Sequence, residues 1–296
     1  MLFNLSYRKI EHVMIQSNRG ITMDKNKELE RSIITNYRKR IWRPFMKAIR
    51  DFELVNEGDK IAVCISGGKD SFMLAKCMQE LQRHGKYPFE LEFIVMDPGY
   101  RKENRKLIEE NARILEMPIK IFETDIFEIV HGIKESPCYL CARMRRGNLY
   151  SFAQELGCNK IALGHHFDDI VETILLSQIY GGEYKTMMPK LKSQNFEGME
   201  LIRPLYYVHE KDIISLMKSF DLKFLNCACR FTESVENKEQ ESKRKEIKLL
   251  LEDLRKKNPN VDANLMKSTF HVNLNTVLGY YGKDKDYFFL DDYDKK

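Results

Sequence analysis

The chain lacks any apolar run near the roughly 18 residues that a membrane span needs, so no bilayer-crossing helix is expected. Its opening residues, Met1-Leu-Phe-Asn-Leu-Ser-Tyr-Arg, are too weakly apolar for a secretory signal. No internal repeat or low-complexity tract is present, which argues against solenoid and fibrous architectures. The net charge is small: 49 Lys and Arg against 44 Asp and Glu leave +5. Seven cysteines, an odd number without a signal segment, argue against a disulfide scaffold and for a reducing cytoplasm. What remains is a chain of 296 residues, 43% hydrophobic and 31% charged, ordinary proportions for one large soluble domain with smaller extensions.

The most informative stretch is Ile61-Ala-Val-Cys-Ile-Ser-Gly-Gly-Lys-Asp-Ser71. Its apolar opening reads as a buried parallel strand, and Ser71 to Leu81 sets Leu74, Cys77, Met78 and Leu81 on one helical face. Gly67 and Gly68 therefore fall at a strand-to-helix turn. Without Cβ atoms they let backbone N–H groups approach an anion at the positive end of the helix dipole. Lys69 adds a mobile full charge. The pattern is neither a Walker loop, whose glycines stand further apart, nor Gly-x-Gly-x-x-Gly.

Downstream, Glu90 to Met96, Ile119 to Phe122 and Lys160 to Leu163 read as strands; Lys102 to Glu116, Arg143 to Leu156 and Asp168 to Tyr180 read as helices. This alternation with short connections predicts an α/β fold with a doubly wound parallel sheet. Ligands bind such sheets at the carboxyl ends of the strands, so Ser66 to Ser71, Asp97 and Gly164 to Asp169 are expected to line one crevice. Asp97, before Pro98-Gly99, fits a polar turn former as well as a nucleotide-side group. In Leu163-Gly-His-His-Phe-Asp-Asp-Ile-Val-Glu-Thr173, Asp168 and Asp169 open a helix, where capping accounts for one carboxylate. Two carboxylates facing a triphosphate suit Mg2+, a hard cation that takes oxygen ligands. His165 and His166 are adjacent, point apart and lack zinc-type spacing.

Positive charge gathers between Arg31 and Arg50, which hold Arg31, Arg38, Lys39, Arg40, Arg43, Lys47 and Arg50 and no acidic residue before Asp51. With Tyr37, Trp42 and Phe45 interleaved, the segment fits either an RNA-docking surface or an amphipathic helix with a solvated basic face. Arg143, Arg145 and Arg146, and Ser242 to Lys248, add basic groups that favour an extended anionic partner. Lys238 to Lys257 reads as a charged helix, followed by a polar tail with aromatic residues.

Cys64, Cys77 and Cys158 read as small core residues. Cys138-Tyr-Leu-Cys141 follows Pro137, and Cys227-Ala-Cys229 ends the strand-like stretch Lys223-Phe-Leu-Asn226. If these segments meet, three thiolates suit an iron-sulfur cluster with one iron open to exogenous sulfur, four suit structural Zn2+, and a metal-free persulfide relay is the third option.

Ser66-Gly-Gly-Lys-Asp-Ser71 resembles, residue for residue, the loop of the PP-loop ATP pyrophosphatases, whose fold is adenine nucleotide alpha hydrolase-like. That loop, Cys138-x-x-Cys141-x-Arg143-x-Arg145-Arg146-Gly147, Gly164-His-His-x-Asp-Asp, Tyr180-Gly-Gly182, Met188-Pro-Lys190 and Arg203-Pro204-Leu205 follow in the order of the tRNA 2-thiocytidine synthetase family, which is related to the tRNA lysidine synthetases. The resemblance implies an enzyme that cleaves ATP with Mg2+, adenylates the C2 oxygen of a cytidine in a tRNA anticodon loop and replaces it with sulfur through a 4Fe-4S cluster. By that resemblance Lys69, Asp70, Asp168 and Cys229 are catalytic, and Ser66, Gly67, Gly68, Lys69, Asp70, Ser71, Asp97, Gly164, His165 and Asp169 bind the nucleotide. Cys138 and Cys141 are implied as cluster ligands. The third is Cys229 or Cys227, because Cys227-Ala-Cys229 departs from the family's Cys-x-x-Cys followed by Gly-Ser. The implied partners are tRNA and a sulfur donor such as a cysteine desulfurase; the charged C-terminal helix either folds back on the domain or pairs with a second copy in a homodimer. The expected organisation is a disordered extension over 1–22, with Met23 as an alternative start; a basic helical region over 23–58; a PP-loop domain over 59–231; and a charged helix and tail over 232–296. The alternatives are a lysidine synthetase-like ligase and a zinc-stabilised RNA-binding accessory protein.

Overall fold

The computed structural model describes residues 10–12, 21–131, 137–225, 235–282, 285–291 and 293. The strands are β1 (Ile10–His12), β2 (Lys60–Cys64), β3 (Glu90–Asp97), β4 (Ile119–Glu123), β5 (Lys160–Ala162), β6 (Lys190–Lys192), β7 (Glu200–Ile202), β8 (Gly279–Tyr281) and β9 (Asp286–Phe288). The helices are α1 (Ile21–Ile34), α2 (Arg43–Asp51), α3 (Lys69–His84), α4 (Lys102–Ile114), α5 (Ile126–His131), α6 (Pro137–Glu155), α7 (Phe167–Ile179), α8 (Glu210–Ser219), α9 (Val235–Lys257) and α10 (Val261–Ser268).

The main sheet has the order β1-β4-β3-β2-β5-β7-β6. Strands β4, β3, β2, β5 and β7 run parallel, and β1 and β6 close the two edges antiparallel. The side-chain period of two sorts each strand between two cores: Ile61, Val63 and Ile65 join one cluster, Ala62 and Cys64 the other. The first cluster holds residues of α1 to α4 and α7 to α10, the second residues of α5 and α6. Helices thus cover both faces, which is why β2 reads as a continuous apolar run. The doubly wound α/β architecture is as expected. Chain order reverses between β2 and β5, so the crevice at their carboxyl ends is where such a sheet takes a ligand.

Two differences from the sequence expectation have local causes. Lys223 to Leu225 forms no strand: the Lys223 carbonyl accepts from Asn111 Nδ2 at 2.7 Å and the Leu225 N–H donates to the Gly67 carbonyl at 3.0 Å, so its backbone serves the phosphate loop. Asn226 lies outside the described residues. In the N-terminal stretch expected to be disordered, Ile10–His12 pairs with β4.

Helix α3 is buried on every side from Ser71 to Leu81. Lys76 is 0% exposed there, pairing with Glu30 and donating to Asn26 Oδ1 at 2.7 Å and the Leu115 carbonyl at 3.1 Å. Burial pushes its pKa down, and the Glu30 carboxylate opposes that shift. Glu30 keeps Arg83 at 2.7 Å when Lys76 is removed, so what is lost is the buried charge-assisted hydrogen bonding of Lys76, about 2–3 kcal/mol. Lys76→Ala is therefore expected to lower the unfolding free energy by about that amount, read as a lower urea midpoint with an unchanged slope.

Candidate active site

The first loop is built by a glycine that only glycine can replace cheaply. Gly67 has φ +86°, and a Cβ there would lie 2.7 Å from Leu225 Cδ1 and 2.9 Å from Ile108 Cγ1. The turn frees the N-terminus of α3, whose N-cap residue, Gly68, has no side chain with which to cap it. Uncapped first-turn N–H groups at a helix start form an anion site. Ser71 Oγ donates to the Gly68 carbonyl at 2.8 Å and accepts from the Ser66 N–H at 3.2 Å, which ties the loop's two ends together. Lys69 Nζ donates to Glu210 Oε1 at 2.8 Å and to Asp70 Oδ2 at 3.1 Å. Burial opposes the lysine's charge, but these carboxylates outweigh it and raise the pKa.

The second loop touches the first. A Cβ on Gly164 would stand 3.0 Å from the Asp70 carbonyl carbon and 3.1 Å from the Ser71 nitrogen, so the absence of one allows the two backbones to meet. His166 caps α7 reciprocally with Asp169: Asp169 Oδ2 accepts from the His166 N–H at 3.0 Å, and His166 Nδ1 accepts from the Asp169 N–H at 3.4 Å. His166 Nε2 stands 3.9 Å from Asp70 Oδ1. That oxygen is buried and lacks a hydrogen-bond partner among the described residues. Burial raises the Asp70 pKa, with His166 and Lys69 opposing.

The acidic residues divide their work unevenly. Asp168 Oδ2 accepts from the Glu210 N–H at 2.8 Å and so caps α8, while its Oδ1 accepts from Arg255 Nη2 at 3.1 Å. Asp97 spends Oδ1 on the N–H groups of Gly99 and Tyr100, at 2.8 and 2.6 Å, and Oδ2 on Arg105 at 3.2 Å. Here Asp97 is a turn former tied to an arginine that also binds Glu11, Glu109 and Glu123. Glu172, 3% exposed, stands 3.2 Å from Arg244 Nε without alignment for a hydrogen bond, and 3.6 Å from Lys248 Nζ. Glu172, Glu210, Arg244 and Lys248 were not singled out as site residues from the sequence. Glu172 was legible in principle, since it follows Asp168 by four residues and so shares its helix face.

At the carboxyl end of β7, Arg203 is 8% exposed and donates to the Met188 carbonyl, while its Nε lacks a hydrogen-bond partner among the described residues. Burial brings its pKa down to about 10. Burial, and then the charge of Arg203, push His165 down to about 4, so its imidazole is neutral at pH 7. Because the unfolded chain takes up that proton near 6.5 and the folded chain only near 4, native stability falls as pH drops through this window. His165→Gln is expected to remove on the order of 2–3 kcal/mol of the loss between pH 7 and pH 4, measured by urea unfolding at each pH.

Cys64, Cys77, Cys141 and Cys158 are buried. Cys141 lies in α6 within the second core cluster, with Cys64 and Cys158. The side chain of Cys138, and all of Cys227 and Cys229, lie outside the described residues. Among the described residues no group of three or more His, Cys, Asp or Glu is arranged around a common metal position, and no helix is long and apolar enough to cross a membrane. In the basic N-terminal segment Phe45 is buried and stacks on Trp42 at 5.4 Å, so Phe45 belongs to the core. Arg38, Lys39, Arg40, Arg43, Lys47 and Arg50 are exposed.

Residues 35–249 match the PP-loop domain family. A tRNA-cytidine(32) 2-sulfurtransferase of Citrifermentans bemidjiense is 39% identical over 230 residues, covering 76% of this chain and 88% of its own. Another, from Anaeromyxobacter dehalogenans, is 37% identical over 237 residues, 79% of each chain. Among solved structures, the U34-tRNA thiolase of Methanococcus maripaludis with its 4Fe-4S cluster aligns with a TM-score of 0.59 and 22% identity over 86% of this chain and 80% of that one, a likeness of fold. The motif resemblance therefore holds: the chain belongs to the PP-loop domain family and, within it, to the tRNA-cytidine(32) 2-sulfurtransferase family.

Proposed function

We propose that this protein is an ATP-dependent tRNA thiolation enzyme that adenylates the C2 oxygen of a cytidine in the anticodon loop and replaces it with sulfur. The observation that carries the reading is the close approach of the intact Ser66–Ser71 loop and the Gly164 backbone, which sets the two motifs side by side. The tRNA-cytidine(32) 2-sulfurtransferase activity for which the two relatives are named supports the substrate.

The loop amides and Lys69 hold the triphosphate, with Lys69 neutralising charge on the departing pyrophosphate. The C2 oxygen attacks the α-phosphorus, the α–β bond breaks, and pyrophosphate leaves. A poor leaving group has become an adenylate ester. A sulfur nucleophile then adds at C2 and AMP departs with the original oxygen. His165, neutral at pH 7, adds no charge of its own beside the nucleotide.

Magnesium fits the donor set at Asp70 and Asp169, since Asp70 Oδ1 is a buried hard oxygen without a hydrogen-bond partner among the described residues. Asp168 is the weaker candidate, because both its oxygens already accept from protein groups. When bound, Mg2+ withdraws charge from the phosphates. Cys138, Cys141 and Cys229, with Cys227 the rival third ligand, would hold a 4Fe-4S cluster, which would offer an open iron to sulfur from a donor such as a cysteine desulfurase. The buried thiol of Cys141 is a soft donor of the kind iron takes. The exposed arginines and lysines between Arg38 and Arg50 offer a phosphate-binding face for the tRNA.

The test is nucleoside analysis of a tRNA transcript incubated anaerobically with the enzyme, Mg2+, ATP and sulfide. ATP-dependent 2-thiocytidine is expected. A lysine-bearing cytidine on adding lysine, with no thiolated base, would move the assignment to the ligase branch.

A further inference from the structure

Helix α9 contributes to the site without belonging to either nucleotide-side loop. Ile247 and Leu251, one turn apart, are 2% and 1% exposed within the main core, which fixes how the helix is rotated. That rotation places Lys248 over two carboxylates from different helices. Its Nζ lies 3.6 Å from Glu172 Oε1 on α7 and 3.8 Å from Glu210 Oε2 on α8. The other oxygen of Glu210 accepts from Lys69 at 2.8 Å. Glu210 is therefore shared between the phosphate-loop lysine and a lysine nearly two hundred positions later.

We infer that Lys248 is a positioning residue for nucleotide binding, which keeps Glu210 compensated when Lys69 exchanges that carboxylate for the phosphates of ATP. The inference rests on ATP being the ligand of the phosphate loop. Lys69 has one ammonium group, and a triphosphate seated on the α3 N-terminus competes with Glu210 for it. Once Lys69 turns away, the Glu210 side chain, 27% exposed, faces a ligand of like charge. In a partly desolvated site an uncompensated carboxylate repels far more strongly than on an open surface. Lys248 already stands on the second oxygen of Glu210. Arg244, 3.2 Å from Glu172, holds that buried carboxylate when Lys248 moves toward Glu210.

Titration calorimetry of Mg-ATP into the full-length protein tests this. Lys248→Ala is expected to weaken ATP binding about tenfold, a coupling of ordinary size, and Lys248→Arg to restore most of it. In turnover the effect falls on KM for ATP while kcat stays nearly constant. Adding Glu210→Gln to Lys248→Ala is expected to recover binding, because the carboxylate that needed compensation is gone. Unchanged affinity in Lys248→Ala, or an equal loss with and without Glu210→Gln, overturns the inference. Tight ATP binding by the unsubstituted protein without any thiolated product would overturn the proposed function and leave this inference standing; failure to bind ATP would overturn both. Thermal unfolding of each variant checks folding, and Lys248→Arg keeps the charge if Lys248→Ala does not fold.

Discussion

Lys69→Ala is expected to lower kcat/KM for ATP by about 100- to 1,000-fold, the usual cost of removing one preorganised group that meets developing charge. Lys69 starts α3 beside the loop glycines, and among the described residues its charged partners are Glu210 and Asp70. Its side chain is 26% exposed and lies outside the apolar core. Glu210 keeps Lys248 when Lys69 is lost, and Asp70 keeps His166 3.9 Å from its Oδ1, so neither carboxylate loses every basic neighbour. The thermal midpoint should therefore move little while pyrophosphate release collapses. A comparable loss of stability would place Lys69 in the scaffold instead.

The second large effect is expected at Cys141. Cys141→Ala should abolish formation of thiolated nucleoside while ATP affinity stays within about twofold, since the thiol lies in α6 and the second core cluster, on the far side of the sheet from α3. Shortening a buried cysteine by its sulfur costs about 1 kcal/mol, which a folded domain tolerates. Anaerobically purified protein should carry about four irons in the cluster form and lose them in the variant. Parallel loss of ATP binding and thiolation would make Cys141 structural, and stoichiometric zinc without iron would assign the cysteines to a closed site.

How much of this was legible in the sequence depends on the length scale of each signal. The loop from Ile61 to Ser71 declared itself because a fully buried parallel strand is apolar at every position and then stops at two glycines. The strands β6 and β7 gave no such signal: three residues each are too few for a period to register, and their pairing depends on β5. The stretch Lys223 to Leu225 has strand-like composition, but its backbone partners are a loop carbonyl and an asparagine side chain, which no local pattern encodes.

The same contrast runs through the site. Asp168 and Asp169 were visible as a pair, yet their division of labour was set by α8 and by Arg255, which arrive from later in the chain. Lys76 reads as one polar position on an amphipathic helix; only the packing of α1 and α4 around α3 makes it a buried charge. In the sequence Lys248 closes the basic stretch Ser242 to Lys248, which favours an extended anionic partner. The burial of Ile247 and Leu251 turns the lysine toward Glu172 and Glu210.

Activation by ATP of the oxygen that sulfur replaces can be followed atom by atom. A tRNA transcript carrying 18O at cytidine C2 would be incubated with cluster-loaded enzyme, Mg-ATP and sulfide, and the released AMP analysed by mass spectrometry. Heavy oxygen is expected in the AMP phosphate, one for each thiolated base, with unlabelled pyrophosphate beside it. Thiolated base accompanied by AMP without the label, or by ADP and phosphate, would contradict that activation.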